Sequence, residues 1–228
     1  MRRTDDGLRQ LATGLRIASA ADDPAGLAIS ERRRAQIGGL RQATRNAQDA
    51  VSLVQVAEGG LSQVTDVLQR MRELAVQAAS DPLDATDREK AQLEFDELVS
   101  TIGDFARNTE FNTTPLLDGS FSGKTFQIGA NAGQTLTLSI GDLTAEALAV
   151  TGLVLGDHES ASRALDAVDA ALGQVLGERA KLGAVANRLG FTIAGLEVAA
   201  ENLAAAESRL RDADVAEAMM GYRRAASG

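Results

Sequence analysis

From Leu40 to Ala78 apolar residues recur at alternating intervals of three and four positions. Leu40, Ala43, Ala47, Ala50, Val54, Ala57, Leu61, Val64, Leu68, Met71, Ala75 and Ala78 hold the stripe without a break. That spacing keeps a seam on one side of a long helix. A second stripe lies toward the other end of the chain, on Val168, Ala171, Val175, Leu182, Val185, Leu189, Leu196, Ala199, Leu203, Ala206, Leu210 and Ala213. Only Glu178 and Thr192 interrupt it. Two long seamed helices must bury their stripes, and the simplest partner for each is the other. The pattern predicts a mainly α fold: an elongated antiparallel helical bundle or coiled coil with a small β-hairpin region.

Between the stripes the period changes. Residues 8–20 read as a short helix or a helix tail. Asp22-Asp23-Pro24-Ala25-Gly26 interrupts it, and Pro at a first helical position starts the next helix near Pro24. That helix is expected to end near residue 79, before Asp81-Pro82, and its stripe alone spans about 58 Å. Gly59-Gly60 inside it marks either a close approach by a neighbour or a local bend, at roughly 1 kcal/mol per Gly against Ala. Thr86-Asp87-Arg88-Glu89 fits a capping box opening a third helix, with Ala91, Phe95, Leu98, Ile102 and Phe105 on one stripe. Residues 124–128 and 135–140 alternate polar and apolar around a turn-rich loop, as a hairpin does. Residues 141–160 read as irregular, and a long C-terminal helix is expected from near Ser160 to about Met220. The chain thus divides into N-terminal helices of a rod-like domain (1–115), a hairpin and irregular segment (116–160) and a long C-terminal helix of the same domain (161–228).

Composition narrows the function. Aromatics are 3% of 228 residues and Trp is absent, so Ala, Leu and Val must make most of the core. Such side chains suit close helix contact better than a broad ligand pocket. A formal charge of -9 argues against nucleic acid as a partner, which needs a dominant basic face. The absence of Cys excludes disulfides and thiolate metal sites. No run of consecutive apolar residues reaches the length of a membrane span, so no membrane partner is expected. Residues 1–6 lack the apolar stretch of a secretory signal. A cytoplasmic chain, export without a cleaved signal, and a chain whose ends were removed all fit that.

Candidate chemistry is sparse. His158 is the only histidine, and its flanking Asp157 and Glu159 do not make a triad. A carboxylate-bridged di-iron bundle needs Glu-x-x-His pairs, which are absent. Asp22-Asp23 reads as a turn rather than a calcium loop. Gly119 to Thr125 resembles a phosphate loop only superficially, because its glycines stand one residue too close together. Glu31-Arg32-Arg33-Arg34 reads as a solvated face with one or two salt bridges. No convergent acid, base or nucleophile set is visible, so no enzyme, metal or cofactor is expected.

Several words along the chain carry a family likeness. They are GLRIASAADDPAGLAI at 14–29, QATRNAQD at 42–49 leading to EGGL at 58–61, and LQRMRELAVQ at 68–77. FQIGANAG at 126–133, LGAVANRL at 182–189 and SRLRDAD at 208–214 complete the set. In this order they resemble bacterial flagellin over nearly the whole chain. The resemblance implies a structural subunit of the bacterial flagellar filament, serving motility and self-assembling through its seamed helices. A flagellin-like surface protein that binds a polymer or host surface is the alternative. It also implies secretion without a cleaved signal to an extracellular place in the flagellum or at the cell surface. Implied partners are other flagellin subunits, an export chaperone, the filament cap and an innate immune receptor. By the same resemblance Gln69, Arg70, Leu74 and Glu94 are receptor-facing, with Arg70 and Leu74 expected to be exposed. The hairpin region then stands for a reduced variable region, and both terminal coiled-coil segments are expected to be missing. A chain of that kind is expected to be a soluble monomer that does not polymerise unaided.

Overall fold

The computed structural model describes residues 2–80 and 84–226, with side chains from 8 to 224. Among the described residues five helices and two small strand pairs follow in the order α1 (Arg2–Thr13), α2 (Pro24–Ala78), α3 (Ala85–Asn108), β1 (Glu110–Phe111), β2 (Thr114–Pro115), β3 (Lys124–Gln127), β4 (Thr135–Leu138), α4 (His158–Arg211) and α5 (Val215–Ala226). The fold is mainly α, as the stripes predict. Asp81-Pro82, expected to stop the first long helix, lies outside the described residues.

Aspartate opens each helix after α1. An Asp carboxylate at the N-cap accepts bonds from first-turn amides that have no partner within the helix. Asp23 Oδ1 accepts from Ala25 N at 3.1 Å and Gly26 N at 2.9 Å, with Pro24 as the first helical residue. Asp84 caps α3 by accepting from Asp87 N at 2.8 Å. The capping box expected on Thr86 is therefore displaced: Asp84 takes that place, and Thr86 already lies inside the helix. Asp157 accepts from Ser160 N at 2.7 Å before α4. Asp214 accepts from Ala216 N and Glu217 N before α5.

The chain forms two compact units. The first comprises Met1–Asn46, Gln127–Thr135 and Thr192–Gly228. In it α1 packs against α5. The early part of α2 runs antiparallel to the end of α4: Ser30 Oγ donates to Glu207 at 2.9 Å, and Arg33 donates to the Ala206 carbonyl at 2.8 Å. The helix expected over 8–20 stops at Thr13, where Gly14 turns the chain with φ +69°. Residues 14–17 then pair with the end of α4. Leu15 bridges Asp212, Arg16 N donates to the Arg211 carbonyl at 2.7 Å, and Ala213 N donates to the Gly14 carbonyl at 2.9 Å. This crossing, with Asp214 capping a new helix, explains why one C-terminal helix to Met220 is not found. The helix ends at Arg211 and α5 follows. The tip of the hairpin completes the unit, with Asn46 Nδ2 bound to the Gln127 carbonyl and Ala130 lying against Gly39.

The second unit comprises Ala47–Phe126 and Leu136–Phe191. Here the rest of α2 and the first part of α4 are again antiparallel, tied by Arg72–Asp169 at 2.6 Å and Arg179–Glu58 at 4.0 Å. A third helix covers them: Ala91, Phe95, Ile102 and Ala106 of α3 join the α2 and α4 seams in one core. Strand β4 keeps its alternation, with Leu136 and Leu138 buried and Thr135 and Thr137 exposed, whereas β3 does not: Lys124 and Thr125 are exposed and Phe126 and Gln127 half-buried. Residues 141–157 are irregular, as expected, yet not loose. Leu143, Ala145, Leu148, Val150 and Leu155 are buried in the core. The Gln92 side-chain amide donates to the Leu153 carbonyl and accepts from Leu155 N, satisfying the backbone of that loop from α3. Gly60 is a site of close approach, since a Cβ there would stand 2.6 Å from Thr109 Oγ1, whereas Gly59 faces open space.

Candidate interaction face

Three of the four implied receptor-facing residues, Gln69 and Arg70 of α2 and Glu94 of α3, lie exposed in the second unit. Gln69 and Arg70 follow the seam residue Leu68 and turn outward. Arg70 Nε donates to Glu94 Oε1 at 2.7 Å, and its Nη1 donates to Glu73 Oε2 at 2.9 Å. One guanidinium thus joins two helices across their solvent edge. The Glu94 carboxylate, and after it Glu73, favours the charged guanidinium and raises the Arg70 pKa. Both sides of the pair are about half exposed, so water screens it and its stabilising effect is small.

Leu74 does not belong to this exposed set. It is 2% exposed and sits in the core cluster. The expectation of an exposed Leu74 fails because α3 covers that flank of α2, burying a column beside the main seam. The structure therefore brings Arg70 and Glu94 together, with Gln69 exposed beside Arg70, and assigns Leu74 to packing. Glu73 is a partner that the resemblance did not supply, although its place three residues after Arg70 is the spacing of a helical ion pair.

Other polar residues resolve into structural roles. Glu178, a break in the second seam, is buried and accepts from Gly141 N at 3.2 Å and Lys181 Nζ at 2.9 Å. His158 is exposed, with Nδ1 against the Ala79 carbonyl. Asp22 accepts from Ala18 N, Ser19 N and Ser19 Oγ, the local turn that the sequence predicts. In the basic cluster, Glu31 pairs with Arg34 and with the buried Arg211 at 2.6 Å, while Arg33 holds the Ala206 carbonyl. Among the described residues no group of three or more His, Cys, Asp or Glu is placed to hold a metal ion. Two openings in the first unit are shallow. One of about 340 Å³ lies under the hairpin tip between Leu40 and Leu196, and one of about 520 Å³ lies between Arg41 and Glu201.

Large apolar side chains also lie uncovered. Phe191 is 81% exposed, Leu93 66% and Leu176 50%. By length and composition α4 is apolar enough to cross a membrane, although charged residues break it into short apolar runs. An 18-residue stretch of it carries at most two charged residues, with its apolar character spread over Ala, Val, Leu and Gly.

Seamed helices with outward-facing polar and apolar faces define a helix-rich protein built around protein contacts. The comparisons make the class specific. Residues 2–122 match the bacterial flagellin N-terminal helical region, and residues 165–226 match the C-terminal helical region. A flagellin of Halalkalibacterium halodurans is 47% identical over 95% of this chain and 80% of its own length. The flagellar filament 33 kDa core protein of Treponema phagedenis is 45% identical over 94% of this chain and 81% of its own. Among solved structures, the flagellin of Bacillus cereus superposes with a TM-score of 0.61 at 32% identity, over 72% of this chain and 94% of that one. The chain belongs to the flagellin family.

Proposed function

We propose that the chain is a structural subunit of the bacterial flagellar filament, located in the extracellular flagellum and partnered by other flagellin subunits. The observation that carries this reading is the match of both helical ends to the flagellin regions, with relatives above 40% identity along nearly the whole chain. The mechanism is burial of apolar seams first inside the subunit and then between subunits. Repeated heterologous contacts between different faces of successive copies generate an open helical polymer. Expression in a flagellated strain that lacks its own filament subunit tests the proposal. Filaments containing this chain, seen by electron microscopy, are expected; their absence despite secretion of the chain overturns it.

The exposed Gln69, Arg70 and Glu94 form the protein-facing part of this reading. An innate immune receptor that recognises the free subunit would meet the Arg70–Glu94 bridge there, and Leu74 would act through the shape it gives α2. Arg70→Ala is expected to weaken receptor activation while leaving the fold intact. Unchanged activation with unchanged filament assembly sinks the assignment. An export chaperone and the filament cap complete the partner set that this function requires.

A further inference from the structure

We propose that the outer face of α4 between Gly173 and Phe191 seats the Leu93 ridge of α3 from a second copy of the chain. The proposal rests on the filament reading and supplies it with a specific contact. Gly173, Leu176, Gly177, Ala180, Ala184 and Phe191 fall on one side of α4, opposite its buried seam, with Gly173 and Phe191 about five turns apart. All six are exposed. No charged side chain interrupts the centre of this face. An 81% exposed Phe and a 50% exposed Leu on one helix face are uncovered anchors of the kind that mark protein contacts. Gly173 and Gly177 add a second point. A Cβ at either would meet nothing within 4 Å, so no contact inside the subunit requires glycine there. Glycine weakens a helix, and here its use is to let a partner approach closely from outside.

Charge selects the occupant. Lys181, whose Nζ also bonds Glu178 at 2.9 Å, and Arg188 edge the α4 face about 10.5 Å apart along the helix. On α3, Leu93 stands 66% exposed between Glu89 and Glu97, which are about 12 Å apart, and neither carboxylate has a hydrogen-bond or ion-pair partner among the described residues. An apolar knob between two free acids fits an apolar trough with a basic edge. The two faces differ, so the contact is heterologous and propagates.

Cross-linking between two variants tests this, because the chain has no Cys of its own. A mixture of Leu93→Cys and Gly177→Cys proteins is expected to give a disulfide-linked heterodimer at least about tenfold above the homodimers of either variant alone. Adding Phe191→Asp to the Gly177→Cys chain should abolish the product without lowering the melting temperature. Gly177→Ala should move two readouts in opposite directions, raising the melting temperature of the subunit and reducing cross-linking between Leu93→Cys and Ala180→Cys chains. Equal yields of Gly177→Cys homodimer mean that α4 faces pair with each other and overturn the assignment. Flotation of the wild-type chain with anionic vesicles, lost in Phe191→Asp, assigns the face to a membrane and overturns it as well. Filaments that form without the 93–177 link break this inference and leave the filament reading standing. The link without filaments does the reverse.

Discussion

The same seam is covered to different depths in the two units. In the second unit, Val168, Ala171, Val175, Leu182 and Leu189 of α4 are fully buried. In the first, Leu196, Ala199, Leu203, Ala206 and Leu210 continue the pattern and are only half-buried. The residue types hardly change. What changes is the number of layers: α3 and the loop of residues 141–157 close over the second unit, while in the first the pair of helices meets the hairpin tip and, at its end, the short strap of residues 14–17. Two alanine-seamed helices cannot exclude water from both flanks of their contact, and a third element completes the core. The largest expected effect follows directly. Phe95→Ala, which removes the main α3 side chain from the second core, should cost about 3–5 kcal/mol in urea unfolding. Leu203→Ala in the first unit should cost about 1–2 kcal/mol, because only part of that side chain leaves water on folding. Equal losses would mean that the third layer adds nothing.

Glycine sharpens the contrast at the next level. At Gly60 a methyl group would stand 2.6 Å from Thr109 Oγ1 and 3.0 Å from Leu117 Cδ1. Thr109 is the C-cap of α3, and Leu117 is a buried residue of the segment that follows β2 in the second unit. Gly39, the corresponding close approach in the first unit, would place a Cβ 3.1 Å from the Ala130 Cβ of the hairpin tip. The tip can yield by a few tenths of an ångström more easily than the three-layer core. Gly60→Ala should therefore destabilise by about 1–3 kcal/mol, whereas Gly39→Ala should fall near zero as the helical gain offsets the squeeze. Thermal unfolding followed by circular dichroism separates the two, and a costly Gly39→Ala would show that the hairpin tip is as rigid as the core.

Much of this difference is legible in the chain. All twelve residues of the stripe from Leu40 to Ala78 are buried, because a seam on a long helix is a purely periodic feature. The start of α2 at Pro24 and the hairpin at 124–140 were legible for the same reason: local chemistry decides them. The column of Leu53, Val67 and Leu74 beside the seam was the signal for a third layer. It widens the apolar arc of α2 only in the part that α3 covers, and reading it would have placed Leu74 inside. The break at Arg211 had no such signal, since residues 14–17 cause it from the far end of the sequence. At the interaction face, Arg70–Glu73 follows from helical spacing, but Arg70–Glu94 needs the register between two helices. The outer face of α4 is less legible, because burial does not mark a second stripe that the subunit leaves open.

A smaller effect concerns the turn between β1 and β2, again in the second unit. Asn112 and Thr113 both have positive φ, 49° and 61°, in a two-residue turn between Phe111 and its partner Thr114. Asn tolerates that region, but a β-branched Thr does not. Thr113→Gly should stabilise by about 1 kcal/mol, measured by urea unfolding. No gain would place the strain elsewhere.

The last contrast is between a unit closed by apolar packing and one whose entry strap is held by a carboxylate. Asp22 accepts from Ser19 N at 2.8 Å, Ser19 Oγ at 3.1 Å and Ala18 N at 3.1 Å, and it pairs with Arg9. The Ser19 amide is the main cause that holds its pKa below the ordinary 3.8, with the Ser19 hydroxyl, Ala18 amide and Arg9 adding to it and partial burial opposing. A carboxyl whose folded pKa is lowered contributes stability that is present above its ordinary pKa. That contribution is lost as pH falls below about 3.8 and through the folded value. Acid should therefore loosen residues 18–23 before it reaches the three-layer core of the second unit, where Phe95 and Leu74 are held by apolar packing. Hydrogen exchange at the Ala18 and Ser19 amides is expected to accelerate relative to α3 as pH falls through that window, after correction for the intrinsic pH dependence of exchange. Asp22→Asn, which cannot titrate, should remove the acceleration. If the variant keeps the same acid response, another group holds the strap, and the contrast between the two units does not extend to their response to pH.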